Sequence, residues 1–124
     1  MSLPVAATLE RQQAFFGSGA TRPLQYRREQ LQRLCAAIES REPALAQALE
    51  ADLRKSACQA YATEIGLVLS EARYAFRHLP AWMKPRRRRT PLAAWPARGF
   101  TQPEPYGVAL ILGPWNYPVQ LMLS

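Results

Sequence analysis

Cysteine and histidine are scarce in this chain, and their scarcity excludes two kinds of chemistry. Only Cys35, Cys58 and His78 occur in 124 residues. Two cysteines on predicted helices provide no disulfide framework and are typical of a reducing compartment. No cluster of histidine, cysteine and carboxylate residues has the spacing of metal ligands, so no metal site is expected. A nucleophilic role for either cysteine is disfavoured, because nothing in the sequence pairs His78 with a thiol.

Long apolar runs and nucleotide fingerprints are also missing. No run approaches the roughly 18–20 apolar residues that a membrane span requires. The N-terminus lacks the basic region of a secretory signal peptide and soon reaches Glu10 and Arg11. We therefore expect a cytoplasmic protein without a transmembrane segment. Neither a Gly-x-Gly-x-x-Gly pattern nor a Walker loop is present, so phosphate-binding motifs support no nucleotide site.

Acidic residues and lysines are few beside arginine. The formal net charge is +7, and the only lysines are Lys55 and Lys84. Excess positive charge is one signature of nucleic-acid binding. Residues 86–89 form a run of four arginines, which is either a polyanion-binding patch or a solvated loop between prolines. The other arginines are scattered along predicted helices, which favours the solvated loop, so no nucleic-acid partner is expected.

Helical patterns occupy residues 1–80. A short first helix is predicted over residues 8–16, and a long amphipathic helix over residues 61–79, which Pro80 ends. Between them, two helices separated by an N-cap at Ser40 carry one apolar stripe. The residues of that stripe are Leu24, Leu31, Leu34, Ile38, Leu45, Leu49 and Leu53. The carboxylates Glu64 and Glu71, seven residues apart on the long helix, are expected to make ion pairs or line a groove.

Prolines replace the helical periodicity after residue 80. Residues 81–106 read as a Pro/Arg-rich connection with an edge strand at residues 99–102. Residues 107–124 are predicted to contain a buried core strand (108–112), a stiff turn and the beginning of another helix. A buried strand needs hydrogen-bonding partners on both edges. At most one other strand is visible upstream, so we expect the partners after Ser124 or on another chain.

Asn116 is the first candidate functional residue, because it lies between Pro114 and Pro118 at the carboxyl end of the predicted strand. Ligands of open α/β sheets bind at such strand ends. An asparagine amide has two N–H donors and can stabilise a carbonyl oxygen that gains negative charge. Alternatively, Asn116 N-caps the helix near Pro118, and the residues alone favour this alternative. The neighbouring Trp115 is either the wall of a nucleotide pocket or a packing anchor.

Five segments in collinear order resemble the N-terminal quarter of the NAD(P)-dependent aldehyde dehydrogenases, and specifically their class 3 branch. They are residues 16–27 (FGSGATRPLQYR), 49–55 (LEADLRK), 79–82 (LPAW), 104–108 (EPYGV) and 113–118 (GPWNYP). The resemblance covers nearly the whole chain. It implies an α/β fold in which N-terminal antiparallel helices lead into the first strands of a Rossmann-like cofactor-binding domain, here truncated.

The resemblance also implies roles for individual residues. Asn116 matches the family's oxyanion-hole asparagine, which donates to the aldehyde oxygen. The positions that match the cofactor-binding segment are Leu112, Gly113, Pro114 and Trp115. The positions that match the substrate tunnel are Tyr117, Gln120, Leu121 and, on the long helix, Leu67. In such enzymes a cysteine thiolate forms a thiohemiacetal with the aldehyde, hydride passes to NAD or NADP, and water releases the carboxylic acid.

The family's catalytic cysteine and general-base glutamate have no counterpart in this chain. We therefore expect an N-terminal fragment that is inactive alone and that forms a homodimer when full length. Two other hypotheses remain: a small basic helical binding module, and a degenerate non-catalytic product. Steeply salt-dependent binding to DNA or heparin would favour the module.

Overall fold

The computed structural model describes residues 4–124, most of which lie in helices. The helices are α1 (Val5–Gly17), α2 (Leu24–Ser40), α3 (Glu42–Leu53), α4 (Ala57–Ala60), α5 (Gly66–Trp82) and α6 (Pro118–Leu123). A π-helical turn, Tyr61–Ile65, joins α4 to α5, and a 3₁₀ turn covers Leu92–Ala94. The strands β1 (Arg86–Arg88) and β2 (Gly99–Thr101) form a two-stranded antiparallel sheet. No helix within residues 4–124 is long and apolar enough to cross a membrane.

The core lies between α2 and α5. Ile38 from α2 packs with Ile65, Val68 and Leu69, and all four side chains are at most 4% exposed. Leu34, Cys35 and Leu45 cover the edge of this cluster. The apolar stripe of the sequence therefore faces the long helix, as its three- and four-residue spacing predicts.

Pro80 lies inside α5 and does not end it, contrary to the sequence-based prediction. The helix continues to Trp82, past the boundary predicted at residue 80. A proline removes the N–H that would bond to the carbonyl four residues earlier, which here is Phe76. Arg28 Nε of α2 donates to that carbonyl oxygen at 3.4 Å, and its guanidinium lies 4.5 Å from the centre of the Phe76 ring. A tertiary contact thus satisfies the carbonyl that Pro80 leaves without an intrahelical partner.

The predicted N-cap at Ser40 is wrong, and a different serine caps a helix. Ser40 is the last residue of α2, and its hydroxyl donates to the Ala37 carbonyl. The residue before α3 is Arg41, which makes no side-chain cap. Ser56 instead forms a capping box with Gln59, in which each side chain accepts from the other's backbone N–H. This box starts the helical stretch that carries the π-turn and α5.

Three of the four arginines in the run form a strand and not a loop. Arg86, Arg87 and Arg88 pair with Thr101, Phe100 and Gly99. The pairing confirms the edge strand predicted at residues 99–102. The observed strand, β2, ends one residue earlier, at Thr101. All three arginines are exposed, as expected for a solvated segment. The sequence reasoning missed β1 because an arginine run has no apolar alternation, and only pairing with β2 makes it a strand.

The predicted core strand at residues 108–112 is not formed in the described chain, where this segment has no ladder partner. Gly107, with φ of 107°, packs against the ring of Phe16, and Val108 is half-buried. Leu110 and Leu112 are each 84% exposed. An extended segment becomes a strand only when its N–H and C=O groups meet a neighbouring strand, and residues 4–124 offer none here.

Gly66, at the start of α5, should not tolerate a side chain. A Cβ at this position would lie 2.9 Å from the Tyr61 carbonyl oxygen, which accepts from the Gly66 N–H at the end of the π-turn. We expect Gly66→Ala to lower the free energy of unfolding by about 1 kcal/mol or more, because steric strain of about 1–3 kcal/mol outweighs alanine's helix propensity. Urea unfolding measures the change. Gly17→Ala is the matched control, since nothing lies within 4 Å of the point that its Cβ would occupy; equal losses in both variants would contradict the crowding at Gly66.

Candidate active site

The turn that carries Asn116 has a sharply bent backbone. Tyr117, which precedes α6, adopts the left-handed conformation with φ of 51° and ψ of 52°. This conformation is uncommon for an aromatic residue and costs roughly 1–2 kcal/mol. Pro118 then occupies the first turn of α6, where a missing N–H is harmless. Asn116 is exposed.

Asn116 does not cap α6, so the capping alternative from the sequence is wrong. The cap position belongs to Tyr117, and no side chain at that position bonds to the helix. The N–H donors of the first turn find their acceptor on the π-turn, far from Asn116 in sequence. The side-chain oxygen of Asn116 is therefore not engaged in capping α6.

The N-terminus of α6 is capped by Glu64, a residue of the π-turn. Oε2 of Glu64 accepts from the backbone N–H of Val119 at 2.8 Å and from that of Gln120 at 3.4 Å. The Glu64 side chain is completely buried. A carboxylate at a helix N-terminus is favoured by the unpaired N–H groups and the positive end of the helix dipole.

Lys55 neutralises the buried carboxylate and also contacts the turn. Its Nζ donates to Oε1 of Glu64 and lies 3.9 Å from the centre of the Tyr117 ring. The backbone before it is bent by Arg54, which ends α3 in the left-handed conformation with φ of 56°. We call Lys55, Glu64 and Tyr117 the turn clamp. The clamp joins the end of α3 and the π-turn to the residue that follows Asn116.

The four residues predicted to bind cofactor directly precede Asn116, and all four are exposed. Leu112 and Trp115 are 84% and 83% exposed, and Trp115 borders a groove against α3. Gly113 packs so closely on Met122 of α6 that a Cβ there would clash with the thioether. Pro114 is exposed between them.

The residues predicted to line the tunnel lie on α5, on α6 and directly before α6. Tyr117 is 38% exposed above Lys55, Leu121 is 47% exposed, and Gln120 is half-buried. Leu67, 44% exposed, lies three residues after Glu64 on the helix against which α6 packs. The structure therefore links the helix of Leu67 to the turn through Glu64.

The remaining titratable candidates lie in ordinary environments. Cys35 packs at the edge of the core, and Cys58 is exposed on α4. Glu71 is exposed, unlike Glu64, so the two carboxylates do not form a pair. Across residues 4–124 no group of three histidine, cysteine or carboxylate side chains could hold a metal ion.

The ion pair expected at Glu64 is present, but sequence reasoning missed that Lys55 is its partner and that the pair contacts Tyr117 and α6. Lys55 ends the segment LEADLRK, but nothing in the local pattern connects it to Glu64 or to the turn. The available signal was a polar residue between apolar positions of the long helix, where Glu64 precedes Ile65.

Comparison with known proteins places this chain in a family. Residues 4–124 match the family described as "Aldehyde dehydrogenase family". The chain belongs to the aldehyde dehydrogenase family. It is 42% identical over 111 residues to the 4,4'-diaponeurosporen-aldehyde dehydrogenase of Staphylococcus aureus, covering 90% of this chain and 24% of that protein. It is 40% identical to a dog "Aldehyde dehydrogenase, dimeric NADP-preferring", covering 97% and 26%.

A solved structure supports the same assignment. The substrate-bound state of Staphylococcus aureus AldH superposes with a TM-score of 0.93 at 38% identity, over 99% of this chain and 27% of that one. Several further relatives are named aldehyde dehydrogenase family 3 members, which confirms the class 3 resemblance. The chain thus spans about a quarter of the length of its relatives and corresponds to their N-terminal part.

Proposed function

We propose that this chain supplies the oxyanion-stabilising asparagine and part of the cofactor and substrate walls of an NAD(P)-dependent aldehyde dehydrogenase. One observation carries the proposal. Glu64 caps α6, so the Asn116 side chain is not held against the helix N-terminus, and its exposed amide keeps its N–H donors available to a substrate. A preorganised donor of this kind is the group that the reaction requires.

The chemistry assigned to Asn116 follows from the charge that develops on the substrate. A cysteine thiolate adds to the aldehyde carbon, and the carbonyl oxygen becomes negatively charged as the C–S bond forms. An N–H of Asn116 donates to that oxygen more strongly as the charge grows, which lowers the barrier. Transfer of hydride from the oxyanion of the thiohemiacetal to the nicotinamide cofactor would give a thioester, and water would hydrolyse it to the carboxylic acid and the cysteine thiol.

The exposed turn fits a dinucleotide's nicotinamide end. Leu112 and Trp115 present open apolar surface, and Gly113 between them lets Met122 of α6 pack against the turn. Together with Pro114, these residues would contact the cofactor, NAD or NADP, which accepts the hydride when bound. A relative named NADP-preferring supports a nicotinamide cofactor.

Four further residues are proposed to contact the substrate. Tyr117, Gln120, Leu121 and Leu67 would line the path of the aldehyde.

The complete enzyme would be a homodimer, as the name of one dimeric relative suggests. Two free cysteines are compatible with a cytoplasmic location.

A hybrid enzyme tests the proposal. Residues 4–124 of this chain replace the matching quarter of the Staphylococcus aureus dehydrogenase, and aldehyde-dependent formation of reduced cofactor is followed by its absorbance. We expect the hybrid to oxidise aldehydes and the purified 124-residue chain to show no turnover, because neither Cys35 nor Cys58 matches the family nucleophile. A folded hybrid without activity, or turnover by the chain alone, would contradict the proposal.

A further inference from the structure

The buried carboxylate of Glu64 has no part in the proposed chemistry, yet it is the most enclosed charged group among the described residues. Its side chain is 0% exposed, and both of its oxygens are occupied. Oε1 accepts from Lys55, and Oε2 accepts from the N–H groups of Val119 and Gln120. A charge is buried in this way only where its partners are held in fixed positions.

These partners determine the direction in which the chain leaves the turn. Because Pro118 has no N–H, Val119 and Gln120 provide the first N–H groups of α6, and both donate to the same carboxylate oxygen. α6 has only six residues and makes no other N-terminal side-chain cap. So short a helix has little stability of its own, and its orientation depends on tertiary contacts. The bonds to Glu64 are the polar contacts that fix its first turn.

Lys55 contacts both Glu64 and the turn. Its side chain is 17% exposed, and its Nζ lies between the Glu64 carboxylate and the Tyr117 ring, 3.9 Å from the ring centre. Cation–π contacts are stronger when the cation is shielded from water, as here. This contact restrains Tyr117 in its uncommon left-handed conformation. Asn116 is the residue directly before Tyr117, so the same restraint acts on the backbone next to it.

We propose that Glu64 and Lys55 are positioning residues that aim the Asn116 amide at the substrate oxygen. The inference rests on the proposed function of Asn116 and adds to it the groups that hold its geometry. An oxyanion donor must lie about 2.7–3.1 Å from the developing charge, and a misplacement of about 1 Å can cost about 10²-fold in rate. Neither Glu64 nor Lys55 needs to touch the substrate for this effect.

The restraint is measured first in the full 124-residue chain, by amide hydrogen exchange and by the NMR signals of the Asn116 side-chain NH₂. We expect Glu64→Ala to speed the exchange of the Val119 and Gln120 amides at least about tenfold, because they lose a charged acceptor. The Asn116 NH₂ signals should shift in the same variant. Glu71 is an exposed carboxylate on α5, so Glu71→Ala is the matched control. It should change neither the exchange rates nor the Asn116 signals. Unchanged exchange and unchanged Asn116 signals in folded Glu64→Ala would overturn the inference.

The consequence for catalysis is measured in the hybrid enzyme. We expect Glu64→Ala and Lys55→Met to lower kcat about tenfold or more and to change KM for the aldehyde less than about twofold, the signature of an interaction lost mainly in the transition state. Lys55→Arg keeps the positive charge and should restore most of kcat. A merely structural lysine would show no such separation of kcat from KM.

A second Glu64 variant and the hybrid of natural sequence distinguish failure of the positioning role from failure of the proposed function. If Glu64→Ala does not fold, Glu64→Gln keeps an acceptor oxygen while removing the charge, and it should still lower kcat. An active hybrid whose kcat is unaffected by Glu64→Gln and by Lys55→Met would overturn the positioning role alone. A folded but inactive hybrid of natural sequence would overturn the proposed function, while the exchange measurement would still decide whether Glu64 holds α6.

Discussion

Asn116→Ala is expected to lower kcat of the hybrid enzyme by about 10²–10³-fold, the cost of removing one oxyanion donor in a measured case. The reason is that the amide bonds most strongly to an oxygen that carries negative charge, so its loss raises the barrier more than it weakens aldehyde binding. KM should therefore change far less than kcat. Steady-state kinetics at saturating cofactor measure both constants.

Asn116→Asp separates the donor from the shape of the side chain. Aspartate has nearly the same size as asparagine, but an ionised carboxylate only accepts hydrogen bonds. Its negative charge would also oppose the charge that develops on the substrate, so we expect kcat at least as low as in Asn116→Ala. Recovery of activity by Asp, with both variants folded, would mean that Asn116 only shapes the turn.

Ile65→Ala is expected to lower the free energy of unfolding by about 2–5 kcal/mol, the range for truncating a large buried aliphatic side chain. Ile65 is 0% exposed and packs with Ile38, Val68 and Leu69 where α2 meets α5. The surrounding helices close only part of the resulting cavity. Because single domains have about 5–15 kcal/mol of stability, this loss is a large share of the total.

Leu67→Ala is the matched control for this prediction. Leu67 lies two residues further along and is 44% exposed, so its truncation should cost less than about 1 kcal/mol. Urea unfolding followed by circular dichroism measures both variants. Similar losses at the two positions would contradict a core centred on Ile65.

Most of the helical structure could be predicted from the sequence, because a helix satisfies its own backbone and needs only one apolar face. The stripe from Leu24 to Leu53 and the periodicity of residues 61–79 both correspond to helices of the structure. Helix ends were predicted less well. Ser40 looked like an N-cap and Pro80 like a terminator, but the Arg28 contact to Phe76 lets the helix continue through Pro80.

The strands were predicted less well, since a strand depends on a partner. Residues 108–112 have the apolar, β-branched composition of a buried strand, and they lie unpaired along the described chain. Residues 86–88 have no such composition, and they form a strand because Gly99–Thr101 lies beside them. Composition states which segments favour an extended backbone, whereas pairing decides which of them join a sheet.

The sequence by itself determined the family, through the segment GPWNYP and the blocks before it, and with the family the residue most worth testing, Asn116. It also determined that Pro118 would begin a helix. Only the tertiary structure decided what caps that helix, because the capping residue, Glu64, is distant in sequence and is brought to α6 by the packing of the π-turn. A local sequence pattern predicts only the hydrogen bonds between residues that are close in sequence. The bond from Val119 to Glu64 joins residues that meet only when the chain has folded.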